Sequence, residues 1–409
     1  MEINRISKNW KVQYFSLWMG QSSSLFGSAI TQFILIWWIT STTKSAISLT
    51  LASFCGLLPQ AIFGAFGGVF ADRYDRKRIM IITDFISALC IFILVIISIS
   101  NSLKLWQVLT MMAIRSTMQA FQSPASLASI NQMVPENWLV KSASLNQMTG
   151  SLSSILAAPL GAFVISFVPL HYALLIDIVT ALIAITMTSF IYIPKNHLDV
   201  SKDTHVIEEL KEGIIYSLKN KGILILIGIS CMMLGVLIPV FSLLPLYVVK
   251  ELEGTIKDVA LLESLGSFGM VLGALIVMVI KIPKKEINFI LWLFTISNIT
   301  IILMGVLPKT MFLSFAFFWT LGAILYSIAA SPMISILQKT VPNELQGRVL
   351  SLYSTFIGLA GPLGLIFMGI ISEYLGMRTT FIISGLIATL ICILGFFSKN
   401  LMSIDKIKR

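Results

Sequence analysis

With 409 residues, 56% of them hydrophobic and only 12% charged, and a mean hydropathy of +0.91, the chain cannot be a soluble domain of ordinary make-up. Its formal charge of +10 could signal a nucleic-acid partner, but the 29 Lys and Arg form no continuous basic face or groove. Most of them fall on one side of the apolar runs, which is how a membrane protein marks its cytoplasmic loops.

A membrane-crossing helix needs about 20 predominantly apolar residues. By that measure the chain predicts twelve spans, near 14–40, 45–70, 79–100, 104–125, 139–167, 170–193, 222–249, 258–281, 286–306, 310–337, 346–372 and 377–398. An even number places both tails on the same side. Arg5, Lys8 and Lys11 before the first span, and Lys399, Lys406, Lys408 and Arg409 after the last, assign that side as cytoplasmic. The polar start leads directly into a full-length span with no small-residue cleavage site, so no cleavable signal is expected. Cys55, Cys90, Cys231 and Cys392 lie singly in apolar runs, without C-x-x-C spacing, which predicts buried thiols and neither a metal site nor a disulfide framework.

Span 1 carries a polar stripe at helical spacing, Gln21, Ser24, Ser28 and Gln32 with Thr31, on an otherwise apolar helix. Such a stripe is expected to face a wet cavity. Trp10, Trp37, Trp38, Trp106 and Trp138 fit the aromatic belts at the membrane surfaces, whereas Trp18, Trp292 and Trp319 lie within spans; Trp319 is a candidate for the cavity wall.

Between spans 2 and 3 runs Gly67-Gly68-Val69-Phe70-Ala71-Asp72-Arg73-Tyr74-Asp75-Arg76-Lys77-Arg78. Asp72 is one carboxylate inside a basic cluster at a membrane edge, so it needs a partner: Arg73, Arg76, or the positive N-terminal end of another helix. The pattern Gly68-x-x-x-Asp72-Arg73-x-x-Arg76-Lys77 resembles the signature loop between helices 2 and 3 of the major facilitator superfamily. The resemblance implies an all-α fold of twelve transmembrane helices in two pseudo-symmetric six-helix bundles. It also implies that Asp72 holds the N-terminal end of span 11, near Asn343 to Arg348, and so latches the cytoplasmic side shut. Asp75 stands where that family usually has Gly, which is expected to stiffen the turn.

The longest polar break, Pro194 to Lys221, divides the spans six and six. The expected domains are therefore an N-terminal bundle over 1–193, a cytoplasmic linker over 194–221, and a C-terminal bundle over 222–409. Within the linker Val206, Ile207, Leu210, Ile214, Ile215 and Leu218 recur opposite Glu208, Glu209, Lys211, Glu212 and Lys219, predicting an amphipathic helix on the inner surface that tethers the halves.

The two halves repeat each other. Ser123-Pro124, Pro135-Glu136, Lys141, Ser144-Leu145 and Ala158-Pro159-Leu160-Gly161 are echoed about half the chain length later by Ser331-Pro332, Pro342-Asn343-Glu344, Arg348, Ser351-Leu352 and Gly361-Pro362-Leu363-Gly364. Transporters use such duplicated halves to build a midplane site that opens alternately to either side. Pro159 with Gly161, and Pro362 with Gly364, are candidate hinges. Ala158-Pro159-Leu160-Gly161 partly resembles the motif that marks the superfamily's antiporters, with Ala158 in place of its first Gly. The second half has no acid at the position of Asp72, so an asymmetric latch is expected.

An ionisable side chain within a span is costly and is a functional candidate by default. These are Asp84 in span 3, Arg115 in span 4, Asp177 in span 6 and Glu263 in span 8. Glu263 precedes Gly266, Gly269 and Gly273, which permit close helix contact, and a partly desolvated carboxyl there could load and release a proton. Asp177 has no evident partner in the sequence. Arg115 resembles the span-4 arginine tied to proton coupling in the family's antiporters; the alternative is a structural pair with Asp84.

Taken together, Gly20-Gln21, Ser28-Ala29-Ile30, Ser45-Ala46, Leu58-Pro59, the Asp72 to Lys77 loop and Ile79-Met80, with Asp177 and Glu263 later, resemble the macrolide-efflux branch of the superfamily's drug:proton antiporters. The similarity covers essentially the whole chain. It implies a multi-pass protein of a bacterial plasma membrane, expected to act as a monomer and to export a bulky, lipophilic, often cationic compound in exchange for protons. No metal or cofactor is expected beyond the proton-motive force, and the partners are substrate, protons and membrane lipid rather than nucleic acid. An exporter of a siderophore or a lipid-like metabolite is the nearest alternative. An intramembrane enzyme or sensor would need a nucleophile and base or a signalling domain, and His171, His197 and His205 lie away from any Ser or Cys elbow.

Overall fold

The computed structural model describes residues 9–193, 215–283 and 285–404. It contains twelve long helices: α1 (Trp10–Thr43), α2 (Ala46–Arg73), α3 (Arg76–Ile99), α4 (Leu105–Met133), α5 (Glu136–Phe167), α6 (Leu170–Phe190), α7 (Lys221–Glu251), α8 (Ile256–Val279), α9 (Glu286–Val306), α10 (Phe312–Thr340), α11 (Asn343–Leu375) and α12 (Met377–Phe397). A last short turn, α13 (Lys399–Met402), follows. There is no strand among the described residues. Eleven helices are apolar enough along an 18-residue stretch to cross a membrane by length and composition. The twelfth, α4, is long enough at 29 residues, but Arg115, Gln119 and Gln122 dilute its hydropathy.

The chain divides into two units. Among the described residues one takes in 9–42 and 55–193, and the other 43–54, 215–283 and 285–404. The sequence places the first boundary at 193 with no exchange of segments. The structure instead groups the first turns of α2 with the second unit, where the Glu373 carboxylate accepts from the backbone N–H groups of Ala46 (2.8 Å) and Ile47 (3.3 Å) and from Ser45 Oγ (3.2 Å). Those are orphan donors of a helix start, and a carboxylate satisfies them well. The amphipathic helix expected within 194–221 lies mostly outside the described residues; of it, 215–219 are helical.

Within the first unit α3 packs on α4 and α6, and within the second α9 packs on α10 and α12. The matched pairings are the structural form of the sequence repeat. Gly161 of α5 meets Phe33 and the Ile30 carbonyl of α1, and Gly364 of α11 meets the backbone of Gly235 in α7. Both repeat glycines thus lie where a helix crosses the first helix of its own unit, and any side chain there would strike the neighbour. Pro159 and Pro362 sit inside α5 and α11, which continue through them.

Helix starts are set by side chains the sequence supplies. Asp75, in extended backbone before α3, accepts from Arg78 N at 3.3 Å and caps the helix. Asp258 accepts from Thr255 N at 2.7 Å at the start of α8. Each unit has its own interior: Tyr14, Leu17, Met80 and Ile130 cluster in the first, and Tyr247 packs between Phe315 and Phe381 in the second, with its hydroxyl donating to the Met304 carbonyl at 3.0 Å. Large apolar side chains also cover the outside, among them Phe190, Val279 and Leu313. A water-facing surface rarely carries so much apolar area; lipid accepts it.

Candidate substrate and coupling site

The polar residues of the first unit converge from four helices. On α1, Gln21, Ser24 and Ser28 follow one face, as the stripe predicts. Opposite them α3 supplies Asp84, α4 supplies Arg115 and Gln122, and α6 supplies Asp177. Gln122 Nε2 donates to Asp84 Oδ1 at 2.6 Å and to Gln21 Oε1 at 3.1 Å. Ser24 Oγ and Gln21 Nε2 also donate to the Asp84 carboxylate, at 3.2 and 3.3 Å. About one helical turn further along α1, Arg115 Nη2 binds Asp177 Oδ2 at 2.8 Å, and Ser28 Oγ joins the pair, donating to Asp177 Oδ1 at 2.9 Å and accepting from Arg115 at 3.2 Å. Both carboxylates are 2% exposed.

This sets aside the alternative pairing of Arg115 and supplies Asp177 with partners. Arg115 pairs with Asp177 across α4 and α6 and not with Asp84, because the stripe on α1 interposes Gln21 and Ser24 at Asp84 and leaves Ser28 beside the guanidinium. Asp177, partnerless by sequence neighbourhood, thus has a cation and a hydroxyl.

Beside the network lies a cavity of about 210 Å³ whose wall includes Trp18, Gln21, Ser24, Gln119, Gln122 and Asn146. Ser28 reaches it as well. Gln32 does not: its amide lies next to Gly56 of α2. The sequence reading missed Gln122, although Arg115, Gln119, Gln122 and Ser126 recur at helical spacing along α4 and form a second polar stripe.

In the second unit Glu263 is half-buried on α8 and makes no hydrogen bond or ion pair with any described residue. The glycines after it do bring helices together: Gly266 packs on the Trp319 indole, Gly269 on Thr320 and Ala323, and Gly273 on the backbone of Ile324 in α10. Trp319 is 5% exposed and donates from Nε1 to the carbonyl of Leu262 at 2.8 Å, one residue before Glu263. With Phe241, at 5.0 Å in a T-shaped contact, and Tyr326 it lines a small apolar cavity in this unit. Glu263 is not in that wall.

The α2–α3 turn is held from within its own unit. Arg76, 7% exposed, donates to the carbonyls of Ala71 (2.8 Å) and Ala128 (3.1 Å) and to Asp72 Oδ1 (3.2 Å). Lys77 Nζ caps the end of α6 through the carbonyls of Ser189 (2.6 Å) and Ile191 (2.8 Å). Arg73 ends α2 in the open, and Arg348 lies near the start of α11. The motif glycine Gly68 faces open space, so it is not required for packing; its neighbour Gly67 is, since α2 crosses α4 against the carbonyl of Ala120.

Two acid-bearing polar clusters inside an apolar twelve-helix chain suit a membrane protein that handles polar or charged solutes, and the comparisons with known proteins agree. The profile described as Major Facilitator Superfamily matches residues 17–362 and 254–403. The chain belongs to the major facilitator superfamily. It is 32% identical to macrolide efflux protein A of Streptococcus pyogenes over 386 residues, 94% of this chain and 95% of that one. It is 31% identical to macrolide efflux protein A of Enterococcus faecalis over 322 residues, 78% of this chain and 99% of the other. Among solved structures, the nucleoside transporter NupG superposes with a TM-score of 0.75 at 15% identity, covering 95% of this chain and 98% of that one, which speaks to the fold alone. The protein is therefore a multi-pass membrane transporter of this superfamily, similar to its macrolide-efflux branch, and not an enzyme.

Proposed function

We propose that the protein exports lipophilic compounds, macrolide antibiotics foremost, by proton antiport with alternating access across a bacterial plasma membrane. The observation that carries this reading is the polar cavity of the first unit, backed by two carboxylates at 2% exposure within spans that are otherwise apolar. Acids that deep in a membrane protein are retained for ions, protons or substrate. Resemblance to macrolide efflux proteins over most of the chain supports the substrate class. Arg115 pairs with Asp177 at 2.8 Å, so Glu263, which has no partner among the described residues, is the favoured proton carrier. Asp72, with Arg76, Lys77 and Arg348, is the proposed latch that biases one access state.

The test is drug accumulation in energised cells. Expressing cells should hold less macrolide than empty cells, and an uncoupler should abolish the difference. Equal accumulation in both, across macrolides and common lipophilic cations, overturns the reading; if expression instead raises secretion of an iron chelator, the substrate is a siderophore.

A further inference from the structure

The starts of α1 and α5 meet on the side that the bias of Lys and Arg assigns as cytoplasmic. Trp10 and Trp138 stand edge to face with ring centroids 5.1 Å apart, and Phe15 lies edge-on to Trp138 and to Trp18, each at 6.3 Å. Interfacial anchoring accounts for the indoles singly but not for the cations they carry. Lys11 Nζ lies 5.8 Å from the Trp10 ring and 5.9 Å from the Trp138 ring, and Lys141 Nζ lies 5.0 Å from the Trp138 ring. Two ammonium groups thus share one indole, which attracts each of them and cancels the charge of neither.

Both lysines are exposed and make no ion pair or hydrogen bond with any described residue. Glu136, exposed in the first turn of α5, pairs with neither. Other cations on this side are satisfied differently: Arg76 and Lys77 donate to backbone carbonyls, and Lys339 faces Glu286 at 3.6 Å. Val12 and Val140, next to the two lysines in the chain, are exposed, as are Phe15 and Met19 one and two turns further along α1. Two like charges gathered without a counter-ion repel each other, and an anion placed between them relieves that repulsion. Ammonium groups at the headgroup level above apolar side chains therefore suit a ligand that is anionic at one end and apolar at the other.

We propose that the joined ends of α1 and α5 bind one anionic glycerophospholipid of the inner leaflet, its phosphate between Lys11 and Lys141 and its apolar body along Phe15 and Met19. Trp138 is a positioning residue, since its ring holds both ammonium groups toward one point. A zwitterionic headgroup brings its own cation to the same place and is disfavoured. The inference is independent of what the protein exports.

Lipid binding tests it without transport. The purified full-length protein in detergent micelles is titrated with phosphatidylglycerol or with phosphatidylcholine, and native mass spectrometry counts the lipids retained. Wild type should keep one phosphatidylglycerol in preference to phosphatidylcholine. At about fivefold per lysine, Lys11→Gln/Lys141→Gln should weaken phosphatidylglycerol about twentyfold and phosphatidylcholine less than about twofold. Lys11→Arg/Lys141→Arg should retain the preference, and Arg73→Gln/Arg78→Gln, which removes two exposed cations from the α2–α3 turn, should leave it in place. A second measurement needs no variant: in nanodiscs, phosphatidylglycerol with brominated acyl chains should quench the indole emission of wild type more than brominated phosphatidylcholine does. The proposal is overturned if the two lipids bind or quench alike, if Lys11→Gln/Lys141→Gln keeps the preference, if Arg73→Gln/Arg78→Gln abolishes it equally, or if soluble glycerol phosphate displaces the lipid. Selective lipid binding without uncoupler-sensitive efflux would sink the antiport reading and leave the lipid site standing.

Discussion

Removing the cation from the Arg115–Asp177 pair should cost far more than removing both partners. The contact is 2.8 Å long, with the arginine side chain 10% and the aspartate 2% exposed, so neither charge can turn to water. Arg115→Leu leaves Asp177 with the Ser28 hydroxyl alone, and breaking a buried pair in this way costs about 3–5 kcal/mol. Asp177→Leu strands the guanidinium instead, for a similar loss. The double variant Arg115→Leu/Asp177→Leu removes the desolvated charges together and should return to within about 1–2 kcal/mol of wild type or exceed it. The two single losses therefore sum to about 6–10 kcal/mol while the double loses at most about 1–2 kcal/mol, a coupling that a double-mutant cycle reads directly. Unfolding by denaturant titration in mixed micelles supplies the three differences. A double variant no more stable than the worse single, or single losses under about 1 kcal/mol, would refute the argument that the pair is an isolated, mutually neutralising unit. Transport adds a separate readout: a double variant that regains stability and stays inactive gives Arg115 or Asp177 a part in coupling beyond structure.

Glu263→Gln keeps the shape and hydrogen-bonding capacity of the side chain while removing its proton. Macrolide binding should persist and uphill accumulation in reconstituted vesicles after a pH jump should collapse; accumulation at the wild-type rate would pass the proton-carrying role to another carboxylate. For Asp72→Asn the only described loss is one contact of 3.2 Å to Arg76, with the acid 65% exposed. Such pairs contribute about 0.3–0.5 kcal/mol, and Arg76 keeps its two carbonyls, so the unfolding midpoint should barely move. Efflux falling sharply at unchanged stability would support the latch, whereas unchanged efflux would dismiss it. Gly67→Val drives a branched side chain into the Ala120 carbonyl and should destabilise by about 1–3 kcal/mol. Gly68→Ala meets open space and, inside a helix, should be neutral or stabilising by up to about 1 kcal/mol. Equal melting temperatures for these two variants would contradict the α2–α4 crossing.

Several features are legible in the sequence alone. Span length and apolar content fix helices when the surroundings are lipid, because every backbone group must be satisfied within its own segment. The repeat around Pro159 and Pro362 announced two related units, and the stripe on α1 pointed to its polar face. Asp75 shows a local signal that was open to a different reading. The residue that stands where the family usually has Gly is the N-cap of α3, and its side chain accepts a hydrogen bond that a glycine could not.

Other features depended on which helices become neighbours. Nothing in the spacing of Arg115, Asp84 and Asp177 selects one acid over the other, since the choice is made by how α1, α3, α4 and α6 rotate about their axes. Gln122 stands out in the sequence no more than the other amides of the spans, and its importance arises from the carboxylate it meets at 2.6 Å. A membrane protein of twelve helices in duplicated halves can be read from the chain alone, because hydropathy and periodicity act within each segment. Which acid of the first unit meets a guanidinium and which meets only neutral donors beside a cavity rests on tertiary packing, because such pairing is a property of distances between segments far apart in the chain.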